Sequence, residues 1–236
     1  MRKLSEMVAR TGVQVYREII FVFLLSMISS AVLVPVVLLL PVAFAVIALI
    51  VLYVPLCTGV IYACHRKLQG ERAGIRAMLA GAGKYYLPSL LFGLVCALFV
   101  LILVSSWWYY GSKNGTLYLT LAVFQTYFVA MFFVSQLYVL PLVVQEKAGI
   151  FTAMGRSMKL FVAHPMYTLG AFIQAVSMAL LLGLTVIGFG CLYLGMLGMF
   201  LNQITANVLP GKEDEAGGSE NGRLSADASK LFLREG

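Results

Sequence analysis

The chain has 236 residues, of which 61% are hydrophobic and 11% charged, and its formal net charge is +7. Soluble domains carry roughly 25% charged and 45–50% apolar residues, and one aqueous core of this length could not cover so much apolar surface, so a water-soluble fold is excluded. The basic balance does not point to nucleic acid either, because the cations flank apolar runs and form no basic module that could track a phosphate backbone.

Residues 1–18 are charged and read as a cytoplasmic N-terminal segment. An unbroken apolar run then extends from Ile19 to Cys64, 46 residues. A signal-peptide core spans only about 7–15 residues, so the run is read as an uncleaved membrane segment. A single helix of that length would measure about 69 Å, against a hydrocarbon core about 30 Å thick. The run must fold back, with Pro35 and Pro41 bracketing a turn at 36–40 and spans at 19–39 and 42–64. A polar segment, 65–84, precedes a third span at 86–108. A short turn at 111–116 leads to a fourth span at 117–144, and a second polar segment covers 145–159. The last apolar run, 160–209, is again long enough for a hairpin, turning within 183–190. Residues 19–209 thus form a six-span membrane domain. The tail, 210–236, is rich in Gly, Ser and charge and reads as disordered.

Charge sets the orientation. With six spans, one side holds the N-terminus, both longer polar segments and the tail, and with them sixteen of the 17 basic residues; the other side keeps Lys113 alone. Without the tail the ratio is still twelve to one. Short loops rich in Lys and Arg stay in the cytoplasm, so both termini are expected inside. Trp107, Trp108, Tyr109 and Tyr110 cluster at the outer end of span three, where half-apolar rings favour the interface; a pigment or sugar platform is the alternative use. Asn114-Gly-Thr116 has the form of a glycosylation sequon but reads as an Asn-Gly turn.

The two polar segments resemble each other. Glu71-Arg-Ala-Gly-Ile75 matches Glu146-Lys-Ala-Gly-Ile150 at an offset of 75, and Lys84 matches Lys159. Pro88 and Pro165 follow with a slip of two. Two spans separate the copies, so the repeat is parallel, about an axis along the membrane normal. A second echo, Tyr53-Val-Pro-Leu56 and Tyr138-Val-Leu-Pro-Leu142, is out of register. Each segment predicts a short amphipathic helix. The first has the stripe Ile75, Met78, Leu79, Ala82 and Tyr86, with Arg72 and Arg76 on another face. The second has Ile150, Met154, Met158 and Phe161, with Arg156 and Lys159 polar. Basic amphipathic helices rest on anionic membrane surfaces. Arg72, Arg76, Lys84, Lys147, Arg156 and Lys159 are therefore the candidate contacts, either to anionic lipid or to a membrane or cytoplasmic protein partner.

The recurring unit is a span, a Pro-Leu, a short helix, a Lys and a Pro-started span. Its fullest copy is the stretch Gly149-Ile-Phe-Thr-Ala-Met-Gly-Arg-Ser-Met-Lys-Leu-Phe-Val-Ala-His-Pro165. This resembles uncharacterised bacterial integral membrane families of YesL-like or YciC-like architecture, and is similar to the membrane domain of glycerophosphodiester phosphodiesterases. The resemblance, over residues 15–208, implies a multi-pass protein of the bacterial inner (plasma) membrane. It brings no functional residues, and the phosphodiesterase catalytic domain has no counterpart here.

Chemistry-bearing constellations are sparse. Cys57, Cys64, Cys96 and Cys191 lie in apolar runs without a CxxC pair, so they read as small buried hydrophobes rather than disulfides. His65 and His164 sit at span ends. A metal or proton-relay role would need a carboxylate nearby, and the nearest in sequence, Glu71 and Glu146, lie outside the apolar runs. No phosphate-binding loop opens a soluble helix, and no cofactor is expected. Charge within lipid is costly and is kept where it functions, yet no Asp, Glu, Lys or Arg lies deep in a span. The intramembrane polar candidates are Gln125, Gln136, Gln174, Asn202 and Gln203, with Ser135 and Ser177. They read mainly as hydrogen-bonding links between helices, the alternative being a solute path. Two functions remain: a non-enzymatic accessory, assembly or envelope-maintenance component, or a small permease for a neutral or lipid-like solute.

Overall fold

The protein is described by a computed structural model covering residues 4–111, 113 and 115–209; Arg2, Lys3, Asn114 and the tail from 210 lie outside it, and with them the expectations of an Asn-Gly turn and a disordered tail. Among the described residues every regular element is helical. In chain order these are α1 (Leu4–Arg17), α2 (Ile19–Leu39), α3 (Val42–Ala48), a π-helical turn (Leu49–Tyr53), α4 (Val54–Leu68), α5 (Ile75–Lys84) and α6 (Tyr86–Gly111). They are followed by α7 (Thr116–Ser135), α8 (Val139–Glu146), α9 (Ile150–Ala163), α10 (Pro165–Gly183) and α11 (Val186–Val208). Six helical stretches are long and apolar enough to cross a membrane: Ile19–Leu39, Val42–Leu68, Tyr86–Gly111, Thr116–Glu146, Pro165–Gly183 and Gly188–Val208. The chain is a multi-pass membrane protein.

Helix is the expected solution, because lipid offers no partner to an open backbone N–H or C=O. The first hairpin turns at Leu40–Pro41, with Pro35 held inside α2 and Pro41 ahead of α3. The last turns at Leu184–Thr185. α11 is the central element and packs against α1, α2, α4, α8 and α10. It serves as a wall of two apolar clusters. One gathers Tyr138, Leu142, Phe200 and Ile204, and the other Val22, Leu25, Val60, Met78 and Met199. Glycine brings its backbone close to α2: Gly195 N–H donates to Ser26 Oγ (2.8 Å) and Ser30 Oγ donates to Gly190 O (2.5 Å). Small residues at helix contacts are the usual means of packing where lipid is as apolar as the side chains. The α6–α7 hairpin is more peripheral, with 11% of the apolar window of α6 buried against 50% for α11. Its far end is tied by Trp107 Nε1–H donating to Thr126 Oγ1 (2.9 Å).

Four features depart from the sequence reading. Residues 4–17, expected only as a charged cytoplasmic segment, form a helix, and Met7, Thr11 and Val15 bury its inner face against the bundle. The second span runs on to Leu68, past the expected end at 64. The fourth span breaks at 136–138, and Ser157 on α9 takes up both backbone groups that the break strands: Ser157 Oγ donates to Ser135 O (2.5 Å) and accepts from Tyr138 N–H (3.3 Å). The face that α5 buries in the bundle is Ala77, Met78 and Gly81, followed by Tyr85; of the expected apolar stripe Met78 is on it, while Ile75, Leu79 and Tyr86 are exposed. On α9, Ile150 of the expected stripe is buried, together with Ala153 and Ser157, and Met158 is exposed. Small residues on these faces allow close approach, with Met78 and Ile150 packed beside them. Gly59 and Gly81 show this reciprocally. A Cβ on Gly59 would lie 2.3 Å from Met78 O, and one on Gly81 2.6 Å from the Tyr62 ring.

Candidate functional site: a carboxamide-walled cavity

α1, α4, α8 and α11 meet at the end of the bundle that also carries α5 and α9. A cavity of about 450 Å³ opens there, lined by Met7, Arg10, Gln14, His65, Leu68, Gln69, Gln145, Asn202, Gln203, Ala206 and Asn207. Six of the eleven are Asn or Gln, one is Arg and one is His; no Asp or Glu takes part.

The wall is fixed by its own hydrogen bonds. Asn202, buried on α11, donates through Nδ2 to Ile61 O on α4 (2.9 Å) and to Gly198 O in its own helix (2.8 Å). Its Oδ1 accepts from Gln145 Nε2 at the end of α8 (3.0 Å), which also donates to Asn202 O (3.0 Å). One turn of α11 thereby holds the ends of the second and fourth spans together. Next to it, Gln203 Oε1 accepts from Thr11 Oγ1 (2.8 Å) and Gln203 Nε2 donates to Gln14 Oε1 (2.6 Å), which ties α1 to the last span. Asn207 Nδ2 donates to Tyr167 OH on α10 (3.0 Å). His65 Nε2 lies 3.0 Å from Gln69 Nε2, one turn on. A carboxamide both donates and accepts, so each can bridge two helices without introducing charge.

Three ion pairs surround the cavity outside its lining: Glu18 with Lys67 (3.0 Å), Glu71 with Arg66 (2.5 Å) and Glu146 with Arg156. Both glutamates of the repeated Glu-(Arg/Lys)-Ala-Gly-Ile sequence therefore bind an arginine, though from different positions. Arg10 makes no ion pair among the described residues. Its nearest acid along α1, Glu6, makes none either.

The sequence-derived candidates are distributed as follows. Asn202 and Gln203 are in the cavity wall. Gln136 is buried at the α7–α8 break, where its Nε2 donates to Ser135 Oγ (3.0 Å). Gln125 and Gln174 are half-buried on α7 and α10, away from the cavity. Arg72, Arg76, Lys84, Lys147, Arg156 and Lys159 are all exposed and outside the lining. Lys84 lies over the rings of Tyr62 and Tyr85, at 5.8 and 5.3 Å. Among the described residues no three of His, Cys, Asp or Glu form a group that could hold a metal.

Arg10, Gln14, Gln69, Gln145 and Asn207 were not singled out by the sequence reading. A signal for α1 was available, since Leu4, Met7, Val8, Thr11 and Val15 recur at helical steps. Nothing local marks Gln145, whose role depends on α11 nearly sixty residues later. Compared with known proteins, the chain matches no protein family, no curated protein and no solved structure.

Proposed function

We propose that the chain is a non-enzymatic protein of the bacterial inner membrane, with both termini in the cytoplasm, that works as an accessory, assembly or envelope-maintenance component through α5 and α9. The observation that supports this best is the segregation of charge. Within the six spans the only charged residues are Arg66, Lys67 and Glu146, each in a last turn, while α5, α9 and their linkers expose six cations. Such a surface suits anionic headgroups or an acidic partner protein, and the uncharged interior offers nothing to couple ions to transport. A parallel repeat is supported by α5 and α9 both starting one residue after an extended glycine, Gly74 and Gly149, at the offset of 75. The resemblance to bacterial inner-membrane families supports the compartment.

The alternative reading, a small permease for a neutral or lipid-like solute, is favoured by the cavity between α4 and α8, the leading spans of the two repeat units. Proteoliposome swelling separates the two. The accessory reading predicts that vesicles containing the chain admit urea, glycerol and erythritol no faster than protein-free vesicles. Entry several-fold faster, abolished by filling the cavity with Ala206→Trp, would replace it by the permease.

A further inference from the structure

We infer that the cavity is a binding site for a phosphate-bearing ligand, with the phosphate on the Arg10 guanidinium and the rest of the ligand along the carboxamide wall. The inference rests neither on the function proposed above nor on which side of the membrane the cavity faces.

Its first support is charge. The lining holds a permanent cation and no carboxylate. Of the other cations at this end, Lys67, Arg66 and Arg156 are matched by Glu18, Glu71 and Glu146, and those of α5, α9 and their linkers lie outside the lining. Arg10, exposed on α1, is the arginine of the lining and has no described acid paired with it, and a guanidinium fork matches phosphate geometry. Its second support is preorganisation. Asn202 and Gln203 are buried, and their amides are locked by Ile61 O, Gly198 O, Gln145, Thr11 and Gln14. A ligand would meet a wall already in place. With its Oε1 engaged by Gln203, Gln14 keeps its amide N–H groups for an incoming oxygen. Its third support is size and polarity. About 450 Å³ exceeds a bare ion and falls within the roughly 300–1,000 Å³ of small-molecule sites. Met7, Leu68 and Ala206 give the same space an apolar side.

A phosphate here can come from solution or from a lipid headgroup, and the test separates them. The full chain is purified in a neutral detergent. Equilibrium dialysis with labelled inorganic phosphate reads the soluble source. Native mass spectrometry with phosphatidic acid, against diacylglycerol of the same chains, reads the lipid source. The expected result is one saturable site per chain in at least one arm. Arg10→Gln should weaken it about tenfold or more, the scale of a lost charged hydrogen bond, while Arg17→Gln, an exposed cation of the same helix outside the lining, leaves it unchanged. Binding in the dialysis arm assigns a soluble phosphate; binding only to phosphatidic acid assigns a headgroup. Ala206→Trp, at an exposed position on the rim, should block either without unfolding the chain. Three results overturn the inference: no saturable binding in either arm, equal weakening by Arg10→Gln and Arg17→Gln, or binding that survives Ala206→Trp.

Discussion

Replacing Gly59 by alanine tests how α5 is held. A Cβ there would sit 2.3 Å from Met78 O and 3.1 Å from Ala82 Cβ. The obstacle is a backbone carbonyl in the middle of α5, which cannot rotate aside, so α5 as a whole must shift away from α4. Overpacking costs about 1–3 kcal/mol, and a backbone obstacle belongs at the upper end. Alanine returns about 0.5–1 kcal/mol of helix propensity. The net expectation is a loss of about 2–2.5 kcal/mol. Gly155→Ala on α9 is the control, since its Cβ would meet nothing within 4 Å and only the propensity gain remains. The assay is reversible unfolding in mixed micelles at rising dodecyl sulfate, followed by far-ultraviolet circular dichroism. The rate of Cys64 labelling gives a local readout, because that thiol is buried in the same cluster as Met78. Gly59→Ala should unfold at lower detergent fraction and label Cys64 faster. If Gly59→Ala is as stable as Gly155→Ala, α5 is not docked on α4 as described.

Ser157→Ala should destabilise by about 1–3 kcal/mol, because it leaves Ser135 O and Tyr138 N–H unpaired in a buried place; the same micelle titration checks it, and an unchanged midpoint would mean that the α7–α8 break is supported from elsewhere. Asn202→Ala removes two contacts across helices, to Ile61 O and from Gln145. At about 0.6 kcal/mol on average for such bonds in membranes, it should cost about 1 kcal/mol, and Gln145→Ala in the Asn202→Ala background should cost less than Gln145→Ala alone, since only its bond to the backbone carbonyl of residue 202 is left to lose. Additive losses in that double-mutant cycle would show that the two amides do not act together.

The spans were legible because their signal is one of length and composition: runs of apolar residues against the thickness of a bilayer. The turn at Leu40–Pro41 falls at the last residue of the expected 36–40, whose first four residues stay in α2 with Pro35, because Pro41 rather than Pro35 stops one helix and suits the start of the next. Faces were less legible. The apolar stripe expected on α5, Ile75, Met78, Leu79, Ala82 and Tyr86, follows hydrophobicity, whereas contact between helices takes Met78 together with Ala77 and Gly81, small enough for close approach. In water hydrophobicity and burial go together; beside lipid a large apolar side chain has two suitable surroundings and a glycine's contact has one. The break at 136–138 was hidden for another reason, since the group that compensates it, Ser157, lies about twenty residues along the chain. Asn202 and Gln203 stood out as amides in an apolar run, but their partners on α1 and α8 did not. The charge of residues 1–18 masked the helical spacing of Leu4, Met7, Thr11 and Val15.

The most direct test concerns the side of the membrane on which the charged end and its cavity lie. The four native cysteines all sit within spans, so single cysteines can be placed at Arg72, Lys113 and Arg156 and labelled with a membrane-impermeant maleimide. In intact spheroplasts Lys113→Cys should be labelled, and Arg72→Cys and Arg156→Cys should be labelled only after the membrane is opened. Labelling of Arg72→Cys or Arg156→Cys from outside in intact spheroplasts would contradict the proposed orientation and place α5, α9 and the cavity on the outer face.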